Sequence, residues 1–159
     1  MSNRDMDVQI IPYESRYQRD FKTLNEEWIV SYFEMEEEDH KTLDNPEEYI
    51  LQKGGFIFVA LYNGEAVGVC ALLKMDNGHY DYELAKLAVN PKFRGKKTGF
   101  LLVQSVINKA KESGASKIFL ESNTRLEPAI HLYRKFGFKE VTGYSSPYKR
   151  VDIIMELIT

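Results

Sequence analysis

The stretch Asn90-Pro91-Lys92-Phe93-Arg94-Gly95-Lys96-Lys97-Thr98-Gly99 joins two unlike patterns. Before it, Tyr80 to Val89 is rich in aromatic and apolar residues and reads as a strand ended by Asn90-Pro91. After it, Leu101, Leu102, Val106, Ile107 and Ala110 recur at helical spacing and end at Gly114, a C′ residue. A basic, glycine-containing turn between a strand and a helix is a place to hold an anion. The first turn of a helix has N–H groups without partners and the positive end of its dipole. Arg94 adds a bidentate donor, and Lys96 and Lys97 add charge. The turn lacks the Gly-Lys-Ser/Thr ending of a Walker loop and the Gly-x-Gly-x-x-Gly of a dinucleotide fingerprint. A solvated structural loop is the alternative.

Outward from the turn, Phe56 to Tyr62 and Ala66 to Met75 are strands separated by Asn63-Gly64, a hairpin signal. With Tyr80 to Val89 they form an antiparallel meander. Lys117 to Leu120 is a further strand. Strand, helix, strand is a right-handed crossover, so the strands at 80–89 and 117–122 are expected to be parallel neighbours. Tyr17, Phe21, Leu24, Trp28 and Tyr32 mark a helix over about Ser15 to Phe33. A second helical piece between Glu36 and Leu51 breaks at Asp44-Asn45-Pro46. Val8 to Ile11, Phe138 to Val141 and Val151 to Ile158 complete the strands, and Ala129 to Phe136 is a helix closed by Gly137. The expected fold is α/β: a mixed, mostly antiparallel twisted sheet of about six to seven strands with helices on both faces. No linker divides residues 1–159, so a single domain is expected.

The net charge is −3, which argues against general nucleic-acid binding. Charge is nonetheless polarised, with five carboxylates within Glu34 to Asp39 and four cations within Lys92 to Lys97. Cys70 is the single cysteine, so no internal disulfide forms, consistent with a reducing compartment. No signal-peptide pattern or membrane-spanning apolar run is read, and the expected location is cytoplasmic. His40, His79 and His131 have no ligand spacing, so no metal is expected.

Arg94-Gly95-Lys96-Lys97-Thr98-Gly99 resembles the acyl-CoA-binding motif of GNAT-type N-acetyltransferases, Gln/Arg-x-x-Gly-x-Gly/Ala. Leu87-Ala88-Val89-Asn90-Pro91 before it, Glu121-Ser122-Asn123, and the helix from Ala129 to Phe136 are similar to the same family. The likeness covers roughly residues 55 to 142, and is greatest to the acetyltransferase half of bacterial proteins that carry a winged-helix regulator in front, for which this chain has no room. Lys97 stands where the pattern prefers glycine, which matters if φ there is positive.

The resemblance implies direct transfer of an acetyl group from acetyl-CoA, as co-substrate, to the primary amine of a small molecule, amino acid or peptide, by a monomer or homodimer. It places the pyrophosphate on residues 94 to 99. Leu87, Ala88 and Val89 would bond the pantetheine arm through their backbone, and Asn123 would face its amides. Glu83 becomes the general base and Tyr133 the acid for the departing thiolate. The alternatives are an exposed strand glutamate paired with Lys86 or a neighbour, and a core tyrosine. A lysine-like amine at pKa about 10.4 costs about 4.6 kcal/mol to deprotonate at pH 7, an α-amine about 1 kcal/mol, so the need for a base depends on the acceptor. Trp28, Tyr32, Glu34 and Glu36 are expected to meet a cationic acceptor, with a solvated acidic loop as the alternative. Cys70 is expected to be buried and inert. A catalytically silent acyl-CoA-binding module with a regulatory or interaction role is the alternative function.

Overall fold

The computed structural model describes residues 7–159, and at Gly95 and Lys96 the backbone alone. Seven strands form one sheet: β1 (Gln9–Pro12), β2 (Phe56–Tyr62), β3 (Glu65–Lys74), β4 (Tyr82–Val89), β5 (Lys117–Ser122), β6 (Lys139–Val141) and β7 (Ile153–Ile158), ordered β1-β2-β3-β4-β5-β7-β6. Every pairing is antiparallel except β4 with β5.

Alternation along the strands sorts the core onto two faces. On β3, Val69 and Ala71 meet α1 (Gln18–Tyr32) and α2 (Glu37–Asp44), where Phe21, Leu24, Ile29 and Leu43 are buried. Cys70 and Leu72 meet the opposite layer, formed by α3 (Thr98–Glu112) and α4 (Glu127–Lys135) through Leu102, Val103, Val106 and Ile130. The first helix begins with a 3₁₀ turn at Ser15–Tyr17, and a π-helical turn follows Pro46 at Glu47–Leu51. The Asn63-Gly64 hairpin has positive φ at both positions (50° and 81°), as a type I′ turn requires.

Strand β4 is irregular in two ways. Val69 pairs with Ala88 and Ala71 with Ala85, so Cys70 faces two residues, Lys86 and Leu87. This is a β-bulge, and Lys86 sits in it at φ 56°. β4 also pairs with β5 at only two positions, Tyr82 with Ile118 and Glu83 with Phe119. Beyond Glu83 the two parallel strands separate, and the sheet opens between them. Among the described residues no helix is long and apolar enough to cross a membrane.

Candidate active site

The basic turn lies at the open end of this split. Asn90 caps a short 3₁₀ segment, Pro91–Lys96, by accepting the Lys92 N–H at 3.0 Å. Lys97 then reverses the chain in the left-handed region, φ 61° and ψ 15°. The buried Thr98 hydroxyl donates to the Phe93 carbonyl at 3.1 Å and locks the turn onto α3. The first α3 bond runs from the Leu101 N–H to Lys97, leaving the N–H groups of residues 98 to 100 without intrahelical partners. The left-handed lysine is strained, so Lys97→Gly is expected to raise stability by up to about 1 kcal/mol in a urea melt.

A groove of about 340 Å³ begins at this helix end, lined by Leu87, Val89, Arg94, Lys97, Gly99, Arg125, Leu132 and Lys135. Among the described residues none of its four cations joins a salt bridge. A Cβ at Gly99 would approach Leu132 no closer than 3.4 Å, so packing alone does not require glycine there. Lys96 and Gly95 contribute backbone to the turn; their side-chain positions lie outside the described residues.

Next to the groove is a cavity of about 450 Å³, lined among others by Trp28, Glu83, Lys86, Glu121, Tyr133, Tyr148 and Arg150. Both hollows are lined by Leu87, Leu126 and Ala129, so they meet where the bulge presents Leu87 beside the start of α4. Glu83 makes no salt bridge among the described residues. Burial, and then repulsion from Glu121, push its carboxyl up to about 8, against the pull of the Lys86 charge. Tyr133 is buried edge-on against Phe138 at 5.9 Å, and its hydroxyl finds no hydrogen bond among the described residues. Burial pushes that phenol above its ordinary range, with the Cys70 thiol adding to the shift.

A buried ion cluster forms one wall. The carboxylate of Asp39, wholly buried, accepts from Lys86 Nζ at 2.7 Å and from both terminal nitrogens of Arg150 at 2.7 and 2.6 Å. It also accepts the Glu36 N–H at 2.9 Å. Burial opposes its charge, but the Arg150 hydrogen bonds and the Lys86 charge outweigh burial and hold it at about 2. Glu83 therefore does not pair with Lys86, the partner the sequence suggested; that ammonium is committed to Asp39.

The four residues expected to meet an acceptor are placed apart from one another. Trp28 lines the cavity, with its indole N–H on Asn25 and the Arg150 guanidinium 5.5 Å from its ring. Tyr32 lines the cationic groove instead, under Arg125, which donates to its carbonyl at 3.2 Å. Glu34 is exposed and lines neither hollow. Glu36 accepts the Lys149 N–H at 3.0 Å and lies 3.6 Å from Arg150, so it tethers the 142–150 loop. Asn123 lines the cavity and is anchored on the protein: it donates to the Arg150 carbonyl at 2.6 Å and accepts the Arg125 N–H at 2.8 Å. Ala88 is buried toward α1. Sequence reasoning missed Lys86, Glu121, Tyr148 and Arg150 as cavity residues. The Lys86–Asp39 pair spans 47 positions and the Arg150–Asp39 pair 111, with no local pattern to connect them.

Known proteins resemble this chain in sequence and in fold. Residues 21–138 match the model of the acetyltransferase (GNAT) family. An uncharacterized N-acetyltransferase of Schizosaccharomyces pombe is 32% identical over 131 residues, covering 79% of this chain and 78% of that protein. A GNAT-family acetyltransferase from Staphylococcus aureus has the same fold, with TM-score 0.83 at 24% identity over 94% of this chain and 98% of that one. PaiA N-acetyltransferase from Thermoplasma acidophilum, solved in complex with coenzyme A, superposes with TM-score 0.73 at 17% identity, over 96% of this chain and 99% of that one. The basic turn at the start of α3, the split between β4 and β5 and the family match over most of the sequence agree: the chain belongs to the GNAT family and is an N-acetyltransferase.

Proposed function

We propose that the protein transfers an acetyl group directly from acetyl-CoA to a primary amine of a small molecule, amino acid or peptide, within one domain spanning residues 1–159. The observation that carries the reading is the junction at Leu87, where a groove whose cations join no salt bridge among the described residues meets a cavity holding Glu83, likewise without one. The residues present fit the co-substrate. Arg94, Lys97 and the N–H groups at the start of α3 that have no intrahelical partner, Gly99 included, suit a diphosphate, with Gly95, Lys96 and Thr98 shaping the turn. Past Glu83 the β5-facing edge of β4 has no strand partner, so backbone at Leu87 and Val89 is free to bond an extended amide-bearing arm. Coenzyme A in the Thermoplasma homologue supports this choice of ligand.

Bound there, acetyl-CoA supplies an acyl carbon activated as a thioester. Glu83, as carboxylate, takes a proton from the acceptor ammonium, directly or through a water, and frees the nitrogen lone pair to form the C–N bond. A Leu87 N–H near the carbonyl oxygen stabilises the charge that develops there. Tyr133 gives its hydroxyl proton to the thiolate as the C–S bond breaks, and its phenolate recovers a proton from the acylated nitrogen. Cys70 takes no part: it is fully buried, and burial pushes its thiol far up.

Thiol release over a panel of amines tests the activity; no release with any amine, while acetyl-CoA still raises the melting temperature, would overturn it. Two variants test the parts. Arg94→Ala is expected to raise the acetyl-CoA KM roughly tenfold with little change in kcat, corresponding to one lost charged hydrogen bond. Tyr133→Phe is expected to lower kcat roughly 10²-fold with the acetyl-CoA KM nearly constant. Unchanged constants in either variant would remove that residue from the assignment.

A further inference from the structure

We propose that the acceptor is a diamine, with Glu83 facing the reacting amine and Glu121, across the β4–β5 split, holding a second ammonium group. The inference rests on the amine acetylation proposed above and names the class of acceptor.

Glu83 pairs with Phe119, the last rung between the strands. Glu121 is two residues further along β5, hence on the same face as Phe119, and both glutamates line the cavity. The strands have parted at that level, so the two carboxyls lie on opposite banks of the opening.

The charges around them are unbalanced. The cavity's cations, Lys86 and Arg150, are bound to Asp39 at 2.6 to 2.7 Å, and Glu38 is paired with Lys41 at 3.1 Å. Among the described residues Glu83 has no hydrogen bond or ion pair, and Glu121 has no ion pair, only the Ser146 hydroxyl beside it and the more distant pull of Arg150 and Lys86. Burial raises both carboxyls, and Glu121 adds repulsion at Glu83. A monoamine would satisfy one of them; a dication satisfies both. An acceptor with its own carboxylate would meet two groups of like sign and no free cation.

The walls and size of the cavity suit the same ligand. Its lining also includes Tyr80, Phe119 and Tyr144, whose rings lie 5.0 to 6.1 Å apart, and Trp28. Aromatic faces tolerate an alkyl chain and attract an ammonium. A volume of about 450 Å³ leaves room for a short aliphatic spacer.

The test compares 1,4-diaminobutane, n-butylamine and 4-aminobutanoate by thiol release, in the parent protein and in Glu121→Gln. The parent should use 1,4-diaminobutane with kcat/KM about ten- to a hundredfold above n-butylamine, the range of one charged hydrogen bond, and 4-aminobutanoate least well. Glu121→Gln should erase the preference, mainly through the diamine KM. Equal use of the diamine and the monoamine by the parent overturns the inference while leaving amine transfer standing, and needs no variant. So does a parallel loss on both amines in Glu121→Gln. Release with none of the three, nor with any other amine, overturns acetyl transfer itself and the diamine with it.

Discussion

Glu83→Gln is expected to lower kcat/KM by ~10²–10⁴-fold and to stabilise the fold at alkaline pH. Both effects have one origin. The carboxyl is placed where its charge is poorly solvated and faces a second carboxyl, so its pKa rises from 4.5 to about 8. A base with that pKa is matched to work near neutral pH, and the parent kcat/KM should climb with pH through an ionisation near 8 that the glutamine variant lacks. The stability effect has the opposite sign to that of a salt-bridged carboxylate. Between pH 4.5 and about 8 the folded chain holds a proton that the unfolded chain has released. Its contribution is therefore complete below 4.5 and lost as pH rises through about 8. One pKa unit is about 1.36 kcal/mol, so the loss is roughly 3–5 kcal/mol. Glutamine never ionises, so the variant should match the parent in urea midpoint near pH 4.5, pull ahead progressively as pH rises from there and keep its full advantage above about 8. A variant retaining kcat/KM within about threefold would end the role of Glu83 as base. A flat difference in midpoint across this range would mean that the carboxyl sits in water.

The fold was legible because its signals are local. Asn63-Gly64 fixes a hairpin by backbone conformation alone, and the alternation in β3 fixes which residues face which layer. The basic turn was legible for the same reason: a strand stop, a glycine, cations and a helix start lie within ten residues. Glu83 and Tyr133 could be named by resemblance, and both line the cavity. The electrostatics of that cavity were not legible. Glu34 to Asp39 reads as a solvated acidic loop or an acceptor site, but its most important member turns inward. Asp39 is the third residue of α2 and accepts the Glu36 N–H, an ordinary helix-start contact, while its other lone pairs reach across the molecule. The cost of burying that carboxylate is met mainly by Arg150 and Lys86, with the Glu36 N–H adding to them. Lys86 reaches it from a bulge with positive φ, a conformation that lysine side chains do not advertise. A sequence pattern records the helix start; it does not record a three-element ion cluster whose members are joined only after the sheet has formed.

Asp39→Ala is expected to destabilise the protein by about 3–5 kcal/mol, because it strands two buried cations rather than removing one pair. Lys86 and Arg150 side chains are 5% and 10% exposed, so water cannot replace the lost carboxylate. At about 2–4 °C per kcal/mol for a chain of this size, the melting temperature should fall by roughly 6–20 °C. The pH dependence follows from the direction of the shift. Asp39 is held at about 2 against 3.8 in the free side chain, so its contribution is present above 3.8 and fades as pH falls through about 2. The parent and Asp39→Ala should thus differ most at neutral pH and converge in acid. Function should suffer beyond stability. The anchored ammonium is expected to hold Lys86 at its positive φ, and the same bulge sets the Leu87 backbone at the junction of groove and cavity. Freed from Asp39, Lys86 also places a mobile cation beside Glu83, lowering its pKa and weakening it as a base. Adding Lys86→Met to the Asp39→Ala background should recover part of the lost stability, a non-additivity that only a shared charge network produces. If Asp39→Ala melts within about 2 °C of the parent, a drop worth at most about 1 kcal/mol, the cluster does not hold the bulge, and the geometry at Leu87 must be set by the strands alone.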